Sequence, residues 1–211
     1  MIGAHKSALG TSAPAINAAV NVEANASPAP VLSFGGAGSV LLQKPRSYSE
    51  VYNDKWDEIV NVFRVLRDPD LAKRLRISLT LTPFSRTDFF QTTECSDGDD
   101  IVEKVRKVIF RSFAGFGSAA VDRTYNTGFR ANSNRSGTTP AHDWANYPPH
   151  IEACVERLRG VVIENKSATE VLIQHDSFDT LHYQDPPYPL GTRNVKGNTA
   201  YRHEMTDDDH R

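Results

Sequence analysis

The chain has 211 residues, of which 39% are hydrophobic, and a formal net charge of −2. This length and apolar content predict one ordinary core carrying an insertion and exclude a disordered chain. The near-neutral charge excludes a general affinity for nucleic acid, so any such binding needs a local basic patch.

The two cysteines, Cys95 and Cys154, lie far apart and have no histidine cluster near them. We therefore expect neither a disulfide framework nor a metal site, and a cytoplasmic location. No apolar run approaches the roughly 18 residues of a membrane span, so no membrane contact is expected.

Residues 1–30 are rich in Ala, Asn, Ser and Pro and are predicted to be a loosely ordered segment. Residues 30–34 then predict a short strand, which runs into a glycine turn at 35–39 and a helix opening at 40–42. Strand, glycine turn and helix are typical of nucleotide binding, because glycines let the backbone approach a ligand closely. The turn is neither a Rossmann fingerprint nor a P-loop, so an ordinary tight turn is the alternative.

A second strand is predicted at residues 48–52, and it ends at Asn53 and Asp54. An acidic residue at this position usually holds the hydroxyl pair of a ribose. Asp54 is equally well placed to cap the helix predicted at 55–66. Another helix is predicted at 70–79.

Residues 85–149 are predicted to be an insertion, largely of loops, with a helix at 101–110. Between residues 101 and 135 there are seven basic side chains and two acidic ones, and Phe113, Phe116, Tyr125 and Phe129 are interleaved with them. Basic side chains for phosphates, with aromatic and amide side chains for bases, are typical of a DNA-reading segment. A solvated loop is the alternative.

Regular structure resumes with a helix at 150–159, a strand at 160–164, a helix at 168–175 and a buried strand at 180–183. Asp185-Pro186-Pro187-Tyr188 follows, and its prolines stop the last strand. A carboxylate, fixed carbonyls and an aromatic ring are thereby held together, an arrangement that suits a planar, amine-bearing ring such as a nucleobase. The alternative is a polyproline ligand for a WW-type domain.

Three segments in this order, residues 33–40, 50–54 and 185–188, resemble the Dam-type adenine-specific DNA methyltransferases, notably those of phages and prophages. Residues 111–117, 127–135 and 201–205 are also similar to that subgroup. The resemblance runs from residue 31 to the end of the chain.

The resemblance implies a doubly wound, mostly parallel, Rossmann-like α/β sheet formed by residues 31–84 and 150–211. This domain would bind S-adenosylmethionine, and residues 85–149 would recognise double-stranded DNA. The implied catalytic residues are Asp185, Pro186, Pro187 and Tyr188. The implied cofactor-binding residues are Lys6, Phe34, Gly35, Gly36, Gly38, Asp54 and Asp185. The implied DNA-binding residues are Arg111, Arg130, Asn132 and Arg135.

The implied reaction is methylation of the N6 amine of adenine by direct transfer to a flipped base, without a metal, in a bacterial or phage setting. The chain departs from the family at Leu32-Ser33, where Glu-Pro is usual, and near Lys166-Ser167, where an acidic residue is expected. Family members also continue past Met205, so we expect the C-terminal strands to be missing and the strand before Asp185 to be a sheet edge.

We expect a monomer, and self-association of two chains through that sheet edge is the alternative. The alternative functions are a truncated, impaired remnant that binds only DNA or cofactor, and a methyltransferase for cytosine amines or protein glutamine. Asp185 favours adenine over the latter, because those relatives more often carry Ser or Asn before Pro-Pro-Tyr.

Overall fold

The computed structural model describes residues 29–93, 98–116, 127–132, 137–193 and 201–210. The chain divides into two compact units. We call residues 29–60 and 160–210 the sheet unit and residues 61–159 the helical unit. Helix α2 (Asp57–Arg67) crosses from the first to the second. No helix in these residues is both long and apolar enough to cross a membrane.

The sheet unit contains four parallel strands in the order β3-β2-β1-β4. The strands are β1 (Ala29–Leu32), β2 (Glu50–Asn53), β3 (Val161–Glu164) and β4 (Thr180–Tyr183). Helices α1 (Ser39–Gln43) and α8 (Ala168–His175) and a 3₁₀ turn (Leu190–Thr192) complete the unit. The predicted α/β class with a parallel, Rossmann-like sheet is confirmed.

The two inner strands of this sheet form its core. All four residues of β2 and the last three of β1 are buried. Val31 and Val51 pack with Val171 of α8 into one apolar cluster. Burial from both faces is usual for the centre of a parallel sheet whose crossover helices cover it.

The prediction that β4 is a buried strand is wrong. Its side chains alternate between half-buried and exposed, and Leu181 remains 54% exposed. The physical reason is its position: within the described residues β4 pairs with β1 alone and forms one edge of the sheet. Its bounds are those that the sequence predicts.

The helical unit is built around α5 (Ile101–Ala114), which packs against α3 (Pro69–Leu81), α4 (Arg86–Gln91) and α6 (Pro140–Asn146). Helix α7 (His150–Leu158) packs against α3. Side-chain caps begin four of these helices, namely Asp68 for α3, Ser85 for α4, Asp100 for α5 and Thr139 for α6. Residues 61–84 and 150–159 thus group with the helices of the predicted insertion, while the functional boundaries of the insertion stay a prediction.

Candidate active site

The carboxyl ends of the strands are joined by the buried side chain of Asn53, the last residue of β2. Its amide nitrogen donates to the carbonyl of Ser33 at 2.8 Å and to that of Lys166 at 3.1 Å. Its amide oxygen accepts from the Lys166 N–H at 2.9 Å. One side chain therefore fixes the chain just after β1 and just after β3.

The glycine turn follows β1, and its first glycine has a structural cause. The N–H of Gly35 donates to the carbonyl of Asn53 at 2.7 Å. A Cβ atom at Gly35 would lie 2.1 Å from the ring of Tyr52, which is fully buried and donates its hydroxyl to the Gly36 carbonyl. Glycine is required here because the Tyr52 ring occupies the space of a side chain.

Gly36 and Gly38 differ from Gly35, because each has a backbone conformation that favours glycine. Gly36 has φ +50° and Gly38 has φ +71°. A Cβ atom at Gly36 would meet nothing within 4 Å. The backbone at Gly36 therefore faces open space that a ligand can enter.

Asp54 holds this turn to the end of β2. Its Oδ2 accepts from the Gly36 N–H at 2.7 Å, and its Oδ1 accepts from the Trp56 N–H at 2.8 Å, just before α2 begins. Burial raises the pKa of Asp54, while the two N–H donors and the charge of His203 lower it in part. Asp54 is therefore not the cap of α2, because the helix begins at Asp57 and the Asp54 bond goes to Trp56, which precedes it. Since an ionised carboxyl has about four acceptor positions, it keeps acceptor capacity for a ligand.

Residues 185–188, which we call the Asp185 corner, lie next to the glycine turn. Strand β4 pairs with β1 as far as Tyr183 opposite Leu32, and the Gln184 side chain donates to Ser33 Oγ at 3.0 Å. Pro187 is buried, whereas Asp185 and Tyr188 are exposed. The corner is thereby anchored at the same edge of the sheet as the glycine turn and Asp54, with its carboxylate and ring accessible.

Residues 31–211 match the family model of the D12 class N6 adenine-specific DNA methyltransferases. The chain belongs to this family. Members of this class use S-adenosylmethionine to methylate the N6 amine of adenine in DNA, so the protein is an adenine-specific DNA methyltransferase by family, and DNA is its expected substrate. No curated protein matches the chain.

The geometry at Gly36 and Asp54 of this D12 methyltransferase fits S-adenosylmethionine. The open space at Gly36 allows a ligand to approach the backbone, and Asp54 retains acceptor positions for ribose hydroxyls. The carboxyl edge of a parallel sheet is also where such ligands bind. Among the predicted cofactor residues, Lys6 lies outside the described residues, and Gly35 has the structural role given above.

Two departures from the family pattern have structural roles in this chain. Ser33 is buried and links β1 to β4 through its hydroxyl and to Asn53 through its carbonyl. Ser167 caps α8 in a reciprocal capping box with Glu170. Neither serine supplies a carboxylate to the cofactor side.

Arg111, which the resemblance assigns to DNA binding, is a buried residue. Arg111 is 1% exposed inside the helical unit, and its Nη1 donates to the Thr92 carbonyl at 3.1 Å. It lies three residues from Val108 and Ala114, which are also buried, so it falls on the inner face of α5. Asn132 is exposed and Arg130 is half-buried, while Arg135 lies outside the described residues.

The aromatic residues of the predicted DNA-reading segment also contribute to packing. The ring of Phe113 lies 4.8 Å from that of Tyr147, and the ring of Phe129 lies 5.2 Å from that of Phe84. Phe116 remains half-exposed. Phe113 and Phe129 are therefore half-buried and pack against other rings of the helical unit.

Three residues that shape the site were not predicted from the sequence, namely Asn53, Tyr52 and Ser33. The signal for Asn53 was its position beside Asp54 at the end of a strand, where a buried amide can bind two neighbouring loops. Among the described residues there is no group of three or more potential metal ligands. Because Pro187 is buried and the preceding strand is paired in the sheet, Pro-Pro-Tyr lies in folded structure and not in a free tail.

Proposed function

We propose that the protein methylates adenine by direct transfer to a base that has been flipped out of the duplex, with Asp185, Pro186 and Tyr188 binding that base. The observation that supports this proposal is the shared edge. The Gln184–Ser33 bond and the β1–β4 pairing bring the Asp185 corner beside the turn that Asp54 holds.

The cofactor side of the site consists of Gly36, Gly38 and Asp54, with Phe34 beside them in the chain. Asp54 accepts hydrogen bonds from ribose hydroxyls, and the backbone at Gly36 lines the path of the methionine part. When bound, S-adenosylmethionine supplies an electrophilic methyl group on a sulfonium sulfur. Positioning the two reactants is the main contribution of such a site, since orientation alone lowers the barrier substantially.

The acceptor side acts on the electrons of the adenine amine. This amine is a poor nucleophile because its lone pair is delocalised into the ring. The Asp185 carboxylate and the Pro186 carbonyl each accept a hydrogen bond from one N–H group of this amine. These bonds draw the hydrogens out of the ring plane and localise the lone pair on the nitrogen. The carboxylate is also placed to accept the proton that the nitrogen releases.

Tyr188 contributes stacking, and this requires the base to leave the helix. Its ring is 54% exposed, so a face is accessible to a ligand. The amine of a paired adenine cannot reach a carboxylate in a corner of the sheet, and enzymes that act on base atoms extrude the base for this reason. Stacking on Tyr188 offsets part of the cost of unstacking the base.

The test is methyl transfer from labelled S-adenosylmethionine to unmethylated duplex DNA, followed by digestion to nucleosides. We expect the label in N6-methyladenine and a loss of at least about 100-fold in kcat for Asp185→Asn, because the variant loses the anionic acceptor. Asp179→Asn is the matched control, since Asp179 is an exposed aspartate of the same unit and should leave activity unchanged.

Three outcomes would overturn the proposal. Label found only in protein or RNA would exclude DNA as the substrate. A protein that binds S-adenosylmethionine in calorimetry yet transfers no methyl group would support the alternative, an impaired remnant. Equal activity of Asp185→Asn and the wild type would exclude the assigned acceptor group.

A further inference from the structure

The segment around Tyr201 is fixed to the chain that leaves the Asp185 corner. Arg193 Nη1 donates to Glu204 Oε2 at 2.8 Å, and Glu204 Oε1 accepts from the Tyr201 N–H at 2.9 Å. The Arg193 guanidinium lies 4.9 Å from the centre of the Tyr201 ring. We call these three residues the Arg193 clamp.

The clamp is close to the corner along the chain. The Pro189 carbonyl accepts from the Thr192 N–H at 3.0 Å and from the Thr192 hydroxyl at 2.8 Å, which closes the 3₁₀ turn. This short turn is all that separates Tyr188 from Arg193, whose side chain is 7% exposed. Since Arg193 is buried and its turn is closed, the Tyr201 ring is held near the corner.

The electrostatics of Tyr201 agree with that position. Partial burial raises the pKa of Tyr201 and the Arg193 charge lowers it, while the neighbouring acidic groups of Tyr188, Asp185 and Glu204 raise it. Tyr201 therefore stays neutral near pH 7 and keeps a hydroxyl donor within electrostatic range of the Asp185 carboxylate. The ring is 39% exposed, so it is accessible to a ligand.

Resting on the function proposed above, we propose that Tyr201 is a second aromatic contact for the acceptor adenine, held beside Tyr188 by the Arg193 clamp. Arg193 covers the Tyr201 ring, which leaves the other face for a base. A neutral tyrosine also offers a hydroxyl donor beside the Asp185 acceptor. Two rings at one corner suit a purine better than the smaller pyrimidine ring, so Tyr201 contributes to selection of adenine.

The experiment compares four variants with the wild type, using unmethylated plasmid DNA and S-adenosylmethionine. The variants are Tyr201→Ala, Tyr201→Phe, Glu204→Gln and the control Tyr48→Ala, in which a 93% exposed tyrosine of the same unit is removed. We measure kcat and KM for DNA, and the Kd of S-adenosylmethionine by calorimetry.

We expect Tyr201→Ala to lower kcat/KM for DNA on the order of 10- to 100-fold, the range that one base–aromatic stack supports. Its cofactor Kd should stay within about twofold of the wild type, which also shows that the variant folds. Tyr201→Phe should restore most of the loss, because stacking needs the ring. Glu204→Gln should show part of the Tyr201→Ala loss, because it weakens the clamp without removing the ring.

The inference is overturned if Tyr201→Ala has the kcat/KM of Tyr48→Ala, or if it weakens cofactor and DNA equally. The proposed function fails separately, if the wild type forms no N6-methyladenine. In that case, binding of single-stranded oligo(dA) decides: a loss of about 10-fold in affinity for Tyr201→Ala supports the contact, and equal affinity excludes it.

Discussion

Replacement of Gly35 by alanine should destabilise the fold through a collision with Tyr52. The added Cβ atom would lie 2.1 Å from Cε2, 2.5 Å from Cζ and 2.6 Å from Cδ2 of that ring. Favourable contacts between carbon atoms lie at about 3.5–4.0 Å. The ring cannot move outward freely, because it is fully buried and its hydroxyl is bonded to Gly36.

The expected cost in the free energy of unfolding is about 1–3 kcal/mol, the usual range for an overpacked core. For a chain of this size, 1 kcal/mol lowers Tm by roughly 2–4 °C, so Tm should fall by about 2–12 °C. Thermal unfolding followed by circular dichroism measures this change. Gly191→Ala is the matched control, because a Cβ atom there meets nothing within 4 Å.

A double-mutant cycle tests the stated cause. If the ring is the obstacle, Gly35→Ala combined with Tyr52→Leu should cost less than the sum of the two single variants, by at least about 0.5 kcal/mol. Additive costs, or a Gly35→Ala variant with the Tm of Gly191→Ala, would refute the reasoning. The glycine would then be required by a ligand and not by the fold.

Three further outcomes are expected. Because burial raises the pKa of Asp54, cofactor affinity should fall as the pH drops through that raised value. The free energy of unfolding should change in the opposite direction, because the protonated carboxyl favours the folded state and this stabilisation is lost as the pH rises through the raised pKa. Calorimetry across pH checks this, and Asp54→Asn should bind weakly without the pH dependence. Asn53→Ala should cost about 2–3 kcal/mol in urea unfolding, because buried partners lose their hydrogen bonds. Arg111→Met should leave DNA affinity unchanged, while Arg130→Met should reduce the salt dependence of binding by about one phosphate contact, as salt titrations would show. Equal salt slopes for both variants would contradict the last prediction.

Much of the sheet unit could be predicted from local sequence, because its signals are short-range. Helix α8 and strand β4 have the predicted bounds, since a capping serine begins the first and two prolines follow the second. Strand β2 begins two residues later than predicted. The residues just before it are held by local bonds instead, in which the Glu50 side chain accepts from Lys44 and from the Ser47 N–H.

The helical unit was harder to predict, for two physical reasons. The short helices α4 and α6 lack a long apolar period, although Ser85 with Asp88 and Thr139 with Pro140 are recognisable starts. The position of Arg111 depends on which face of α5 is covered, and composition carries no information about that face. Charge therefore predicted a surface role for a side chain that the fold buries.

The buried amide of Asn53 has a consequence for the order of events during turnover. It binds the chain after β1 and the chain after β3 to the end of β2 without any ligand, so the nucleoside side of the site loses little freedom on binding. The opposite side presents Asp185 and Tyr188 as solvent-accessible side chains, which must be immobilised around the bound base. This difference favours an order of binding in which the methyl donor binds first and DNA binds second.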